Sequence, residues 1–138
     1  MNNYKFEELS IGSSESFSVT VTEGMMDEFR GITGDLNPLH KDDAFAERRG
    51  FKGKAAFGLL TASFLSTLAG MYLPGEDSLI QKVEVHFMKP VYPGDSLEIR
   101  GTVTELNEAF RVMALKVEIR NQDGLKVLRG TMNIGLTK

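Results

Sequence analysis

The chain of 138 residues contains no cysteine and only two histidines, His40 and His86. Without a thiol it can form no disulfide, use no thiolate nucleophile and hold no metal through cysteine. Because the chain has only two histidines, we also expect no metal site built from several histidine ligands. We therefore expect a protein that works without a metal and without a bound cofactor.

The chain also lacks a strong charge of either sign, since its formal net charge is −3. It has no long basic run and no strand that interleaves basic with aromatic residues, which argues against a nucleic-acid partner. Residues 1–12 are polar and carry acids, unlike the basic start and apolar run of a secretory signal. We expect a cytoplasmic protein. The apolar share of 41% suits one domain over residues 1–138 with a sizeable core.

Charge is missing altogether from residues 55–73, AAFGLLTASFLSTLAGMYL. The length meets the threshold for a membrane span, but four serines and threonines lower its hydropathy. The strand candidates that follow alternate apolar and polar residues, as in a sheet that exposes one face to water. We therefore predict no membrane span, but a helix over about residues 57–72 that is apolar nearly all round because protein surrounds it.

The remaining elements follow from periodicity. Residues 16–21 alternate apolar and polar and predict a first strand, and two short helices follow, one after Thr22 and one after Asp42 or Asp43. From Ser78 onward four long strand candidates succeed one another, which we expect in meander order. One strand, short helices, a buried helix and four strands predict an α+β domain. A five-stranded sheet leaves an edge open, so we expect two copies to pair edge to edge.

Residues 34–43 read GDLNPLHKDD and place a carboxylate, Asp35, five residues before an imidazole, His40. That spacing does not bring two side chains together on a helix, and Gly34 and the Asn37-Pro38 pair oppose one. The segment is therefore a shaped loop. An aspartate and a histidine are the usual partners for proton transfer near neutral pH.

Three segments carry a resemblance: GDLNPLHKDDAFAERRGF, AAFGLLTASFLSTLAGMYLPG and VHFMKPVYPGDSLEI. In this order they resemble the MaoC-like, R-specific enoyl-CoA hydratase family of the hot-dog fold, over about residues 10–135. The resemblance implies a five-stranded antiparallel sheet wrapped around a long central helix, and a homodimer or a larger assembly. It also implies an enoyl thioester substrate, carried by coenzyme A or by an acyl carrier protein, and reversible hydration to the (R)-3-hydroxyacyl thioester.

The resemblance assigns roles to several residues. Asp35 and His40 match the catalytic pair, and Gly58 matches a backbone N–H donor to the thioester oxygen. Ser66 and Ala69 match positions that line the acyl pocket. Asn37 is expected to fix the loop or to help hold the reacting water.

One position departs from the family pattern, because Phe57 stands where the family usually has histidine before the glycine of the central helix. A phenyl ring makes none of the hydrogen bonds of an imidazole, so we expect Phe57 to contact the substrate in a different way. A hot-dog thioesterase is the second hypothesis, although the central helix carries no carboxylate. The departure at Phe57 keeps a third open, a non-catalytic module that binds acyl thioesters.

The same residues have ordinary structural interpretations. Asp35 after a glycine is often a turn residue, His40 alone could be a hydrogen-bonded loop histidine, and Gly58 could be a packing glycine. Ser66 could bond back to its own helix. His86 is out of phase with its apolar neighbours on a predicted strand, and we expect it at the surface or in an interface.

Overall fold

Five antiparallel strands form one sheet, and the central helix packs against its apolar face. The computed structural model describes residues 1–137. The strands are β1 Ser14–Thr20, β2 Ser78–Phe87, β3 Ser96–Asn107, β4 Val112–Arg120 and β5 Lys126–Leu136. The α-helices are α1 Glu23–Thr33, α2 Asp43–Glu47 and α3 Gly58–Thr67, and a π-helical segment Leu68–Tyr72 continues α3. Short 3₁₀ turns cover Phe6–Glu8 and Pro38–His40.

The predicted fold class is confirmed, but the meander order is wrong for one strand. The sheet order is β1-β3-β4-β5-β2, so β2 pairs with β5 and lies at the far edge, while β1 pairs with β3. Residues 88–95 join β2 to β3 and include Pro90 and Pro93, which makes the connection longer than a hairpin loop. Periodicity identifies strands, but it does not say which neighbour each strand pairs with.

The strands alternate as predicted and supply the floor of the core. Alternate residues of β3, β4 and β5 are buried, among them Ile99, Leu115 and Met132. Leu65 and Leu68 of the central helix pack onto this surface in the same buried cluster. The short helices begin where expected, because Thr22 accepts a hydrogen bond from the N–H of Met25.

Within one copy, protein covers only part of the surface of the central helix. Leu59 is 67% exposed and Met71 is 44% exposed, and Ser63 and Ser66 are also exposed. Residues 1–137 of a single copy therefore leave this face uncovered, and the expectation that protein surrounds the helix stays a prediction for the assembled protein. Among residues 1–137, no helix combines the length and the hydropathy that crossing a bilayer would require.

Candidate active site

The loop between α1 and α2 is shaped by its own side chains. Gly34 ends α1 with a φ of 73°, a conformation that glycine adopts readily. The Asp35 carboxylate accepts a hydrogen bond from the Asn37 N–H at 3.0 Å, and the Asn37 side-chain oxygen accepts one from the Leu39 N–H at 2.9 Å. Asn37 thus caps the 3₁₀ turn that carries His40, and the prediction that it fixes the loop agrees with this contact.

His40 is half-buried and held by its ring nitrogen. Nδ1 lies 2.9 Å from the carbonyl oxygen of Ala55. Because a carbonyl can only accept, we assign the proton of the neutral imidazole to Nδ1, which leaves Nε2 as the proton acceptor. An imidazole in this state can accept a proton from a bound ligand through Nε2.

Two residues that the sequence does not place beside each other support His40 from behind. The Phe57 ring is 2% exposed, and its centroid lies 4.4 Å from that of His40 and 4.9 Å from that of Phe29. Arg30 Nη2 donates a hydrogen bond to the His40 carbonyl oxygen at 3.1 Å. The imidazole therefore rests on a buried aromatic ring, and its backbone is tied to α1.

A cavity of about 280 Å³ opens in front of His40, where α3 begins. Gly58 and Thr61 line it from the first turn of the helix. The Gly58 N–H has no acceptor among residues 1–137, as expected for the first residue of a helix. The rest of the wall is largely apolar and includes Leu39, Phe51, Ala55, Phe87, Met88 and Val91. The cavity thus combines an imidazole, a helix N-terminus and space for an apolar chain.

The structure brings two of the predicted site residues together, since His40 and Gly58 line the same cavity. Asp35 and Asn37 are exposed on the preceding loop and are not part of the cavity wall. No hydrogen bond joins the Asp35 side chain to that of His40 within the described part of the chain. Their pairing across a shared water stays a prediction.

The other three predicted residues lie away from the cavity wall. Phe57 is buried behind His40, Ser66 is exposed two turns along α3, and Ala69 is fully buried in the core. Their predicted contacts with substrate stay predictions. His86 is exposed on β2, as expected.

Sequence reasoning missed Thr61. It is 2% exposed, lines the cavity and has a hydroxyl without a hydrogen-bond partner among residues 1–137. The available signal was its spacing, because a residue three positions after Gly58 lies on the same helix face. No group of three or more side chains suited to a metal ion occurs within residues 1–137.

Comparison with known proteins gives consistent results. The model of the MaoC like domain family matches residues 9–123. The (R)-specific enoyl-CoA hydratase of Rhodospirillum rubrum is 35% identical over 101 residues, which cover 73% of this chain and 70% of that protein. The protein of the same name from Aeromonas caviae is 32% identical over 124 residues, covering 90% of this chain and 92% of that protein.

A solved structure extends the likeness to three dimensions. An (R)-hydratase from A. caviae superposes with a TM-score of 0.90 at 31% identity, covering 94% of this chain and 98% of that one. At this coverage the likeness extends over nearly the whole of the fold described above.

Proposed function

The chain belongs to the MaoC-like domain family, and from this premise we propose that it is a hydro-lyase acting on acyl thioesters. It adds water reversibly to trans-2-enoyl thioesters and forms (R)-3-hydroxyacyl thioesters. One observation carries the proposal: the His40 imidazole and the first N–H groups of α3 meet at one apolar cavity. The relatives named (R)-specific enoyl-CoA hydratase support the reaction and its stereochemistry.

The reaction asks for three groups. A base must take a proton from water as its oxygen attacks Cβ, an acid must give a proton to Cα, and a donor must stabilise the negative charge on the thioester oxygen. In our proposal the Gly58 N–H supplies that donor, at the positive end of the α3 dipole. The reaction as proposed needs no cofactor, because only water and protons are exchanged.

Asp35 and His40 share the two proton transfers in this proposal. Nε2 of His40 has the lone pair, because the Ala55 carbonyl holds the proton on Nδ1. One Asp35 oxygen accepts the Asn37 N–H, and the carboxylate has no other partner within residues 1–137. We assign its remaining capacity to the reacting water, with Asp35 as the base and His40 as its partner. The pair then gives the proton taken from water to Cα, so both groups end the reaction in the protonation state in which they began.

The position of Phe57 supports catalysis over a purely binding role. Its ring packs behind His40 and not at the cavity surface, so the change from histidine removes no polar group from the wall. The imidazole that remains is oriented by the Ala55 carbonyl, and the backbone of His40 is held by Arg30. The structure therefore keeps an oriented proton acceptor, which a module that only binds thioesters would not need.

The direct test mixes the protein with crotonyl-CoA and follows the loss of enoyl absorbance, with carrier-protein thioesters and longer acyl chains run in parallel. We expect turnover, and chiral analysis of the product should give the (R)-3-hydroxy isomer. Thiol release measured on the same samples separates hydration from thioester hydrolysis. Tight acyl-CoA binding by calorimetry without turnover would favour the binding module instead.

We further propose that two copies pair through β2 to form a homodimer. β2 lies at the edge of the sheet with only one neighbouring strand. It exposes Leu79, Val83 and Phe87, beside the uncovered face of the central helix at Leu59 and Met71. An apolar edge of this kind is a liability unless another chain covers it. Since Phe87 also lines the cavity, the pairing would wall the site on that side.

Light scattering during size-exclusion chromatography tests the pairing. Val83→Lys puts a charge into the proposed interface and should shift the dimer toward the monomer. Thr104→Lys, which adds the same charge at an exposed position of β3, should leave the mass unchanged. Monomeric wild-type protein at micromolar concentration would refute this interface.

A further inference from the structure

The Thr61 hydroxyl is buried without a hydrogen-bond partner. Only 2% of the residue is exposed, and Oγ1 contacts no donor or acceptor among residues 1–137. A buried hydroxyl in this state destabilises the fold, so native proteins rarely keep one without a use. Ser63 on the same helix shows the ordinary solution, since its hydroxyl donates to the Leu60 carbonyl at 2.6 Å. Thr61 does not make this kind of bond.

The cavity has room for a ligand that could form a hydrogen bond with the Thr61 hydroxyl. Thr61 and Gly58 both line it, and His40 faces it from the loop. Thr61 follows Gly58 by three residues, so the two lie on one face of α3. Helical side chains lean toward the helix N-terminus, which places the Thr61 side chain over the turn that begins at Gly58. A ligand atom bound at the Gly58 N–H therefore lies beside this side chain.

We propose that Thr61 Oγ1 donates a hydrogen bond to the thioester oxygen of the substrate, next to the Gly58 N–H. The two donors together stabilise the negative charge that forms on this oxygen when water adds. The hydroxyl keeps its proton throughout, because donating the bond is its whole role. This inference rests on the proposed hydration activity and names a further substrate-binding residue for it.

Three variants test the role. Thr61→Val keeps the shape and removes the hydroxyl, Thr61→Ser keeps the hydroxyl, and Thr67→Val makes the same chemical change on α3 at a residue outside the cavity wall. With crotonyl-CoA we expect Thr61→Val to lower kcat/KM by about 100-fold, mainly through kcat. Thr61→Ser should stay within about 3-fold of wild type, as expected where the bond itself is kept. Thr67→Val should match wild type.

Thermal unfolding separates binding from structure. Thr61→Val removes a buried unpaired hydroxyl, so its melting temperature should equal or exceed that of the wild type. A lower melting temperature in Thr61→Val, together with a partner for the hydroxyl elsewhere in the fold, would overturn the proposal. Wild-type kcat/KM in Thr61→Val would overturn it as well.

Two inhibitors identify the substrate atom. Butyryl-CoA has the thioester oxygen but no double bond, and S-butyl-CoA lacks that oxygen. Thr61→Val should weaken binding of butyryl-CoA about 10-fold and leave S-butyl-CoA unchanged. Equal weakening of both, or of neither, contradicts a bond to this oxygen.

Calorimetry with the same two compounds separates the inference from the proposed activity. If wild type binds butyryl-CoA but hydrates no enoyl thioester, the activity fails while the Thr61 contact is still measured. If wild type hydrates crotonyl-CoA and Thr61→Val matches it, only the inference fails. If wild type neither turns over nor binds, both are refuted.

Discussion

Replacing Gly58 by alanine should remove most hydration activity and leave the fold intact. A Cβ built on Gly58 would lie 3.2 Å from Cε1 and 3.3 Å from Cδ1 of the Phe87 ring. Carbon atoms prefer separations of about 3.5–4.0 Å, so one of the two groups must move by a few tenths of an ångström. Phe87 is 52% exposed and has room to move. The φ of Gly58 lies outside the left-handed region, so alanine fits its backbone.

The added methyl group should change the stability of the fold little and the rate of hydration strongly. Alanine in place of a helical glycine gains at most about 1 kcal/mol through the backbone, which offsets the contact with Phe87. The free energy of unfolding should therefore stay within about 1 kcal/mol of wild type. In the cavity the methyl group keeps the thioester oxygen away from the Gly58 N–H. Losing one such donor costs about 3 kcal/mol of barrier, or about 100-fold in kcat.

A double variant distinguishes this role from simple packing. Kinetics with crotonyl-CoA are measured for Gly58→Ala, Phe87→Ala and the combination of both, together with urea unfolding. If Gly58 donates its N–H to substrate, Phe87→Ala does not restore activity to Gly58→Ala. If Gly58 only makes room for the phenyl ring, removing the ring restores it. Recovery in the double variant to the level of Phe87→Ala alone would refute the oxyanion role.

Three further predictions concern single side chains. Asp35→Asn and His40→Gln should each lower kcat/KM by at least about 100-fold with little change in circular dichroism, and near-wild-type kinetics in either variant would contradict the proposed pair. Phe57→His should lower the free energy of unfolding by about 2 kcal/mol more than Phe57→Leu, because it removes an imidazole from water at a buried position between the Phe29 and His40 rings; equal urea midpoints would argue against this packing. Burial would raise the pKa of Glu118, but the hydrogen bond from Lys126 and nearby positive charge outweigh it and lower that pKa. The folded-state pKa is thus below its ordinary 4.5, so the pair stabilises the fold above that pH and the effect is lost as pH falls through the lowered pKa. Lys126→Met should therefore cost about 0.5–1 kcal/mol at pH 7 and almost nothing in acid where Glu118 is protonated, and a pH-independent difference would refute this linkage.

Local patterns were sufficient to predict the elements of this fold. Alternation gave the strands, Thr22 gave the start of α1, and an uncharged run ending before Pro74-Gly75 gave the central helix. These signals act over a few residues, so a single sequence contains them. The pairing of β2 with β5 joins Leu79 to Gly135, which are 135 − 79 = 56 positions apart in the sequence. No local pattern encodes that choice, and the meander prediction failed there.

In the candidate site, too, local features could be predicted from the sequence and contacts between distant residues could not. Residues 34–40 were predicted to form a shaped loop, and hydrogen bonds within the segment hold that shape. The support of His40 comes instead from Arg30 of α1 and from Ala55 and Phe57 of the connection before α3, two segments that are distant from each other in the sequence. Phe57 in particular reads in the sequence as a lost functional group. In the structure the Phe57 ring is a buried side chain that packs against the His40 and Phe29 rings.

The spacing of Thr61 from Gly58 is visible in the sequence, but the hydrogen-bonding state of its hydroxyl is not. A threonine inside a helix can bond back to a carbonyl of the preceding turn, and the sequence does not say whether it does. Ser63 makes such a bond and Thr61 does not, although only one residue separates them. Thr61 also lines the cavity that Gly58 and His40 line. A buried hydroxyl without a protein partner beside a cavity is a candidate for substrate binding, and whether a threonine is in that state is set by the packing of the whole domain around one helix.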